Sequence, residues 1–324
     1  MHTGLLTTST DELSEADVAV RAEELGYADV WLPELWGESG VVRATEIATR
    51  TDELGIGSAI LNVYSRSPAV LAMTAASLQR VSDGRFVLGV GTSTQKSIED
   101  LHGESFNRPV RRAHETIELV RAFTAGEGRV DYDGELLEAS DFPSLEVPTP
   151  IYHAGLGPAN RRVVGRLADG WIPHNIPFSR LEDAFEEVAG AARERDRDPD
   201  DIAVAPYVPA AVSEDLEAAR DAIRSHVAYY VGSGEGYRRA VGAAYPGEAE
   251  RIAEAWRDGN RGEAADAVTD ELVDDLGVAG TPEDARDRLE SLVAETGIDH
   301  PIVVVPDPAS DEIVELTVES LAPV

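Results

Sequence analysis

Short apolar runs alternate along the chain with longer stretches whose apolar residues recur at the spacing of an amphipathic helix. The short runs predict strands, and the longer stretches predict helices. The predicted strands are His2–Leu6, Asp29–Leu32, Ile56–Leu61, Phe86–Val90, Ile151–Ala154, Gly170–Ile172, Ile202–Val212 and Ile302–Val305. The predicted helices are Glu12–Leu25, Val41–Glu53, Ala69–Val81, Val110–Phe123, Ala159–Ala168 and Leu181–Arg195.

Cap and turn residues support these helix boundaries. Ser14 or Asp11 can cap the first helix with a side-chain oxygen, and Gly26 follows its end. A proline stands where the first turn of three later helices should begin, at Pro68, Pro109 and Pro158.

The alternation of strands and helices indicates the fold class. Eight strands separated by helices in a chain of 324 residues favour an α/β fold of the (β/α)8 TIM-barrel type, with an open doubly wound sheet as the alternative. Residues 129–137, with Asp133-Gly134 as the turn, predict a small hairpin insertion. Residues 214–280 predict a helical excursion before the last strand. No linker is visible, so residues 1–324 are expected to form a single domain.

The charge balance is strongly acidic. The chain has 61 Asp and Glu against 28 Lys and Arg, a formal net charge of −33, and Lys96 is its one lysine. Because the acids are spread along a chain that is 43% hydrophobic, disorder is not expected. Such a surface is typical of a protein from a salt-adapted archaeon, where salt screens self-repulsion, with a functional acidic tail or a cation-binding surface as the alternative. It argues against nucleic acid or an anionic membrane as a partner.

Several kinds of site are excluded by residue content. The chain has no cysteine, so disulfides, thiolate catalysis and cysteine-ligated metals are excluded. The histidines show no metal-ligand spacing, and no metal is expected. No apolar run approaches the roughly eighteen residues of a membrane helix, and no basic leader precedes the first strand. We therefore expect a soluble cytoplasmic protein that acts on a small molecule.

Two predicted strands end in glycine-rich segments, at the edge where a parallel barrel carries its active site. The segment Gly91-Thr92-Ser93 combines glycine, which lets a flat ring or a phosphate approach the backbone, with hydroxyl groups. The segment Gly155-Leu156-Gly157 precedes a helix whose free amide groups and dipole suit a phosphate. Arg161 and Arg162 in the first turn of that helix can pair with an anion. Both segments are cofactor-binding candidates, and a plain structural turn is the alternative for each.

Polar residues after other strands are further candidates. Glu34 could polarise a substrate or a ring edge, or could be a solvated loop acid, and Trp36 is a candidate substrate contact. Asn62 follows the third strand and is a cofactor-binding candidate. His174 lies beyond the sixth strand and is a candidate acid–base residue, with an ordinary loop histidine as the alternative. His153 lies within a strand, so we expect it to be a packed, hydrogen-bonded core residue.

Taken as a set, these segments resemble the luciferase-like monooxygenase superfamily, and within it the branch of oxidoreductases that use coenzyme F420. The resemblance is clearest over residues 1–195 and thin from 214 to 290. The matching segments are GYADVWLPE (26–34), SAILNVYSRSPAVLA (58–72), VSDGRFVLGVGTS (81–93), RRAHETIELVRAFTAGE (111–127) and IYHAGLGPANRRVVGRLADGWIP (151–173).

The resemblance implies a cofactor at the carboxyl ends of the barrel strands. It implies a non-prolyl cis peptide between Ala59 and Ile60, pressed against the cofactor ring. Residues 91–93 would line the ring, residues 155–157 would hold the phosphate, and Glu34 would occupy the carboxylate position after the second strand. Three acid–base positions of the branch carry other residues here, namely Leu35, Thr94 and Leu6. The resemblance also suggests a homo-oligomer, a dimer or larger, joined through the helices after the second and third strands.

Three functions are compatible with these features. The first is an F420-dependent oxidoreductase that transfers a hydride between the deazaflavin and a small organic substrate. The second is an FMN-dependent monooxygenase, because both cofactors carry a ring and a phosphate. The third is a flavin or deazaflavin carrier without turnover. In the first case the anionic tail of F420 would need arginines to offset the negative surface, and the candidates are Arg66, Arg108, Arg111, Arg112, Arg161 and Arg162.

Overall fold

The structure is a computed structural model that describes residues 2–126, 128–307 and 309–323. Glu127, which ends the matching segment 111–127, lies outside the described residues. The strands are β1 (Gly4–Leu6), β2 (Asp29–Leu32), β3 (Gly55–Ser58), β4 (Leu61–Asn62), β5 (Phe86–Gly91), β6 (Arg129–Asp133), β7 (Glu138–Pro143), β8 (Ile151–Ala154), β9 (Gly170–Trp171), β10 (Ala203–Val204), β11 (Tyr207–Val212), β12 (Val278–Gly280) and β13 (Ile302–Val304). The helices are α1 (Glu15–Glu24), α2 (Gly40–Arg50), α3 (Pro68–Val81), α4 (Pro109–Ala125), α5 (Pro158–Leu167), α6 (Leu181–Arg193), α7 (Leu216–Ser233), α8 (Glu235–Gly242), α9 (Pro246–Arg257), α10 (Arg261–Asp266), α11 (Asp270–Leu276), α12 (Pro282–Thr296) and α13 (Asp311–Ser320).

The chain divides into two compact units. The central unit comprises Asp29–Ile172 and Glu187–Ile202, and the terminal unit comprises Met1–Ala28, Pro173–Glu186 and Ala203–Val324. We describe each unit by itself.

The central unit is built on parallel strands. Strand β3 pairs with β2 and with β5, β8 pairs with β5 and β9, and the short β4 also pairs with β5, all in parallel. In a parallel sheet the carboxyl ends of the strands lie at one edge. The loops that follow β2, β4, β5 and β8 therefore share that edge. Strands β6 and β7 form a separate antiparallel hairpin.

Two glycines let the central strands pack closely. A Cβ atom on Gly57 would lie 2.2 Å from the ring of Trp31, a fully buried side chain. A Cβ atom on Gly89 would lie 1.8 Å from the carbonyl oxygen of Ser58. The Ser58 hydroxyl also donates to the Gly89 carbonyl oxygen and accepts from the Gly89 amide, both at 2.9 Å. These contacts fix the end of β3 against β5.

The terminal unit has its own parallel sheet, in which β13 lies between β1 and β11 and β12 pairs with the other side of β11. Helices α7 to α11 pack around a buried apolar cluster that includes Ile223, Val227, Ile252 and Leu272. Among the described helices, none is both long enough and apolar enough to cross a membrane.

Most sequence-predicted elements are present with shifted ends. Helix α1 begins after Ser14, whose side chain forms a capping box with Asp17. Helices α3, α4 and α5 each begin at the expected proline.

Four expectations were wrong in detail. The predicted strand 56–61 is two strands, β3 and β4, with residues 59 and 60 between them. The predicted strand 202–212 is two strands, β10 and β11, because Pro206 between them has no amide hydrogen to donate. The excursion 214–280 is helical only to residue 276, and residues 278–280 form β12, a run too short to stand out in the sequence. The hairpin continues to Pro143 because four residues, 134–137, separate its strands instead of a two-residue turn.

Candidate functional site

The end of β3 is the most unusual backbone feature of the central unit. The peptide bond between Ala59 and Ile60 is cis, at the position where the sequence resemblance places it. The Ala59 amide donates to the carbonyl oxygen of Leu32 at the end of β2, at 2.8 Å. The chain then resumes as β4, so the bond lies between two segments that are each held by neighbouring strands.

Gly91, at the end of β5, lies directly against Ile60. A Cβ atom on Gly91 would lie 3.1 Å from Cγ1 and 3.2 Å from Cδ1 of Ile60, and 3.4 Å from Cβ of Ala154. The Val63 amide donates to the Gly91 carbonyl oxygen at 3.0 Å. Three strand ends thus meet in an apolar floor formed by Ile60, Gly91 and Ala154, which we call the strand-end floor. A larger residue at position 91 would fill it.

The hydroxyl residues after Gly91 remain half-buried. Ser93 adopts a left-handed conformation with φ of 56°, which turns the chain sharply after the strand. The Thr92 hydroxyl lies 3.4 Å from the Ser93 carbonyl oxygen, a long contact that leaves most of its hydrogen-bonding capacity unused. Thr94 bonds to Ser97 and so starts the following helical turn.

Asn62 organises the loop after β4. Its side-chain oxygen accepts from the amides of Tyr64 at 3.0 Å and Ser65 at 2.8 Å, and its Nδ2 lies 3.3 Å from Nε2 of His102. The side chain is buried. Asn62 is therefore engaged in shaping the loop that carries Arg66, whereas the sequence suggested direct contact with a cofactor.

The segment after β8 provides the candidate phosphate loop. The Trp171 indole donates to the Gly155 carbonyl oxygen at 2.8 Å, and a Cβ atom on Gly155 would lie 3.1 Å from Cβ of Asn160. Gly157 is the N-cap of α5, makes no side-chain cap, and has open space where a Cβ atom would be. The first amides of α5 therefore have no side-chain cap and lie at the positive end of the helix dipole.

His153 lies in strand β8, directly before this loop. It is fully buried, and its Nδ1 donates to the Val90 carbonyl oxygen at 3.1 Å. Burial lowers the pKa of His153, so the ring is neutral at pH 7. The expectation of a packed, hydrogen-bonded core histidine is confirmed.

The two arginines of α5 differ in their surroundings. Arg161 folds back so that its Nε donates to the Leu156 carbonyl oxygen at 2.9 Å, and its Nη1 lies 3.3 Å from Glu187. Its charge is therefore already paired, and it shapes the phosphate loop. Arg162 is exposed and pairs with none of the described carboxylates, which makes it the freer cation of the two.

Glu34 and Arg66 form a partly buried ion pair between the loops after β2 and β4. Their side chains are 16% and 19% exposed, and both guanidinium Nη atoms donate to the carboxylate, Nη2 to Oε2 at 2.9 Å. The Gly40 amide donates to Oε2 at 2.8 Å. Burial alone would raise the pKa of Glu34, but the bonds and charge of Arg66 and the Gly40 amide keep it below its ordinary value. Glu34 is thus ionised, and its bonds to Arg66 join the loop after β2 to the loop after β4.

The other candidate residues of these loops are placed differently. Trp36 is 85% exposed, so its ring is available to a ligand. Arg108 pairs with Glu135, and Arg111 pairs with Glu115 and Glu135. Arg112 lies over the Tyr64 ring at 4.8 Å, and its buried Nε atom has no hydrogen-bond partner among the described residues.

His174 belongs to the terminal unit, where it joins a cluster that the sequence did not reveal. Its Nε2 lies 3.2 Å from Nε2 of His226, on helix α7. The rings of Tyr207, Tyr230 and Tyr237 lie 4.8, 4.3 and 5.3 Å from the His174 ring. The sequence signal for this cluster is the run His226-Val-Ala-Tyr-Tyr230, which carries no acidic or basic side chain although charged residues surround it in the chain. Such a run could have predicted that this part of the helix packs its polar rings inside the protein.

Both histidines of this cluster are buried. Burial, and to a lesser degree the electrostatic effect of His226, hold the pKa of His174 well below its ordinary value, and burial lowers the pKa of His226 to about 4. Both rings are therefore neutral at pH 7, so in their mutual contact one Nε2 donates a proton and the other accepts it.

Comparison with known proteins gives the context of these sites. The chain is 29% identical over 287 residues to 5,10-methylenetetrahydromethanopterin reductase of Methanolobus tindarius, which covers 87% of each chain. It is 26% identical over 310 residues to a putative coenzyme F420-dependent oxidoreductase of Mycobacterium tuberculosis, covering 85% of this chain and 86% of the relative.

The solved structure of the coenzyme F420-dependent tetrahydromethanopterin reductase of Methanopyrus kandleri superposes with a TM-score of 0.84 at 24% identity, covering 99% of this chain and 97% of that one. This likeness confirms the predicted TIM-barrel-like fold class. The sequence profile of the luciferase-like monooxygenase family matches residues 3–300, so the chain belongs to that family.

Proposed function

We propose that this protein is an oxidoreductase that binds coenzyme F420 at the strand ends of its central unit and transfers a hydride between that cofactor and a small organic substrate. The observation that carries the proposal is the strand-end floor of Ile60, Gly91 and Ala154. Directly after Ala154 the chain continues as Gly155-Leu156-Gly157 and then as helix α5, whose N-terminus has no side-chain cap. The names of the relatives, two of which specify coenzyme F420, support the choice of cofactor.

The residues present fit a group with a flat ring and a phosphate. The strand-end floor is apolar and closely packed, and Gly91 keeps it clear of a side chain. The amides at the start of α5 suit a phosphate, and the exposed Arg162 supplies a positive charge beside them. When bound, the deazaflavin supplies two-electron hydride chemistry, so the protein has mainly to orient the substrate and exclude water.

Glu34 has a positioning role in this proposal. Because its carboxylate accepts from both Nη atoms of Arg66 and from the Gly40 amide, it fixes the loops on either side of the strand-end floor. It keeps Arg66 from adding a net positive charge there. Trp36, on the loop that Glu34 begins, is the residue we propose for substrate contact.

A homo-oligomer is part of the proposal. Helices α2 and α3 of the central unit expose Val42, Val70, Met73 and Val81, which are 67, 41, 52 and 45% accessible. They flank a groove lined also by Val41 and Leu78. In a chain of net charge −33, an uncharged face allows two copies to associate with little charge repulsion.

The test is a comparative titration of the purified protein with F420 and with FMN, at a salt concentration where circular dichroism shows it folded. We expect saturable quenching of F420 fluorescence, with FMN at least tenfold weaker. Tighter binding of FMN would instead support the monooxygenase. Loaded protein is then offered a secondary alcohol, a sugar phosphate and a reduced pterin; F420 reduction by any of them establishes turnover, and binding with no reduction by the three would favour the carrier.

A further inference from the structure

Arg112 is a charged side chain of the central unit that the cofactor proposal does not use. Most arginine candidates at the strand ends are already paired, namely Arg66 with Glu34, Arg108 with Glu135, Arg111 with Glu115, and Arg161 with Glu187. Arg112 is half-buried, and none of the described residues forms an ion pair or a side-chain hydrogen bond with it. In a chain with 61 acidic residues, an arginine without a carboxylate partner needs an explanation.

The Arg112 guanidinium lies on an aromatic ring that is itself fixed. Its Cζ is 4.8 Å from the centroid of the Tyr64 ring, which stacks on the Phe106 ring at 5.5 Å with an interplanar angle of 29°. The Tyr64 hydroxyl donates to the Asn107 carbonyl oxygen at 3.0 Å, and the Tyr64 amide donates to the Asn62 side chain at 3.0 Å. Because the ring contacts the flat face of the guanidinium, the N–H groups at its edge stay available to an acceptor in that plane.

The charge of Arg112 also lies where the backbone disfavours it. Arg112 is near the start of α4, a helix with no acidic residue in its first turn, and the helix dipole makes a cation unfavourable there. Burial raises the pKa of Tyr64, and the charge of Arg112 offsets only part of this rise, so the phenol is neutral at pH 7 and does not balance that charge. An anion at the guanidinium edge would balance the charge and offset the unfavourable dipole.

The acidic residues on the neighbouring segments are engaged with other groups. Glu115, three residues further along α4, accepts from Arg111 at 2.6 Å and from three backbone amides of the hairpin. Glu99, on the segment before α4, accepts from the Phe106 amide at 3.3 Å and from a glutamine side chain at 2.9 Å. A carboxylate for Arg112 would therefore have to come from a bound molecule.

The stacked pair of Arg112 and Tyr64 borders the strand-end floor. The Val63 amide donates to the carbonyl oxygen of Gly91, which belongs to the floor, at 3.0 Å. Tyr64 is the next residue of the chain, so its Cα lies about 3.8 Å from that of Val63. All of these residues belong to the central unit. Arg112 is thus placed at the rim of the site proposed for the cofactor ring.

We propose that Arg112, held on the Tyr64 ring, binds a carboxylate of the molecule that occupies the strand-end floor. This inference rests on the proposed function, because it assigns a residue at the rim of that same site. The phosphate of the cofactor is already provided for by the amides at the start of α5, so the acid group is a different one. It belongs either to the glutamate tail of F420 or to an acidic substrate, and both sources offer the planar acceptor that the guanidinium edge fits.

The first experiment follows the arginine Nε–H signals of the full-length protein by ¹⁵N NMR, with Arg112→Gln to assign the Arg112 signal. Glutarate and its diamide, glutaramide, are the matched acidic and neutral probes, added at one fixed salt concentration. We expect glutarate to shift the Arg112 signal saturably and glutaramide to leave it unchanged. No shift with glutarate, or equal shifts with both probes, would overturn the proposal. If Arg112→Gln does not fold, Arg112→Lys removes the same signal and keeps the charge.

The second experiment separates the two sources by fluorescence titration with F420 that carries several tail glutamates and with F420 that carries none. If the tail is the source, Arg112→Gln should weaken binding of the first form about tenfold, or about 1.4 kcal/mol, and leave the second within twofold. If the substrate is the source, both forms should stay within twofold and glutarate should still shift the Arg112 signal in F420-loaded protein. Arg80→Gln, which removes an exposed charge from the last turn of α3, is the matched control and should change neither affinity.

The glutarate titration needs no cofactor, so it separates this proposal from the proposed function. If F420 fails to bind to wild-type protein while glutarate shifts the Arg112 signal, the proposed function fails and the carboxylate site remains, for a different ligand. If F420 binds and glutarate gives no shift, the role of Arg112 alone fails. An equal loss of affinity for the two forms of F420 would also contradict it, because Arg112 would then act on the part of the cofactor that both forms share.

Discussion

The ion pair between Glu34 and Arg66 offers a quantitative test of how the loops of the central unit are held. We consider the double-mutant cycle of Glu34→Gln, Arg66→Met and the combination. The two side chains are 16% and 19% exposed and share two charge-assisted hydrogen bonds. Each such bond contributes about 1.5–3 kcal/mol, and part of that is offset by the desolvation of both charges. We therefore expect a coupling energy of about 2–3 kcal/mol in the free energy of unfolding.

Urea unfolding followed by circular dichroism, at one fixed salt concentration, measures this coupling. A coupling no larger than that of the exposed pair Lys96–Asp100, measured with Lys96→Gln and Asp100→Asn, would refute the anchoring role. Because the Glu34–Arg66 pair is partly buried, its coupling should survive added salt that removes the coupling of the exposed pair.

The same cycle has a defined pH dependence. The pKa of Glu34 is lower in the folded protein than in the unfolded chain. Its contribution to stability is therefore fully present above the unfolded value, about 4.3, and is lost as the pH falls through the folded value. The coupling should be constant from pH 7 to about pH 5 and should shrink below about pH 4. A coupling that grows on acidification would show that the direction of the pKa shift is wrong.

Three further predictions concern the strand-end floor, the exposed face of α2 and α3, and the net charge of the protein. Gly91→Val, whose Cβ would start 3.1 Å from Ile60, should weaken F420 binding at least tenfold by fluorescence titration, whereas Gly190→Ala, where nothing lies within 4 Å, should not. Met73→Asp should shift the sedimentation coefficient toward the monomer, and Leu216→Asp, an equally exposed apolar site elsewhere, should leave the wild-type value. The melting temperature should fall on dialysis into low salt because a net charge of −33 is then unscreened, and a neutral osmolyte in place of salt should not restore it.

The sequence was informative where local chemistry determines the outcome. Prolines at helix starts, apolar runs and the glycine-rich strand ends predicted the elements of the central unit and the segments that meet at its edge. Gly91 could be singled out because only a residue without a side chain leaves the strand-end floor open beside Ile60.

Contacts between distant segments were beyond the reach of the sequence. The residues around Glu34 in the chain do not indicate that its carboxylate would form an ion pair with Arg66. The residues around Arg161 likewise do not indicate that it would pair with Glu187. His226 lies 52 residues from His174, and their contact depends on how helix α7 packs in the terminal unit. Such pairs follow from tertiary packing, which leaves no periodic signal in a single chain.

The central claim is that the strand ends of the central unit hold coenzyme F420. A crystal structure of the protein soaked with F420 tests it most directly. We predict density for the ring against Ile60 and Gly91, and for the phosphate within hydrogen-bonding distance of the amides at the start of α5. Ordered F420 elsewhere on the protein, or no density at a concentration that saturates the fluorescence titration, would contradict the account.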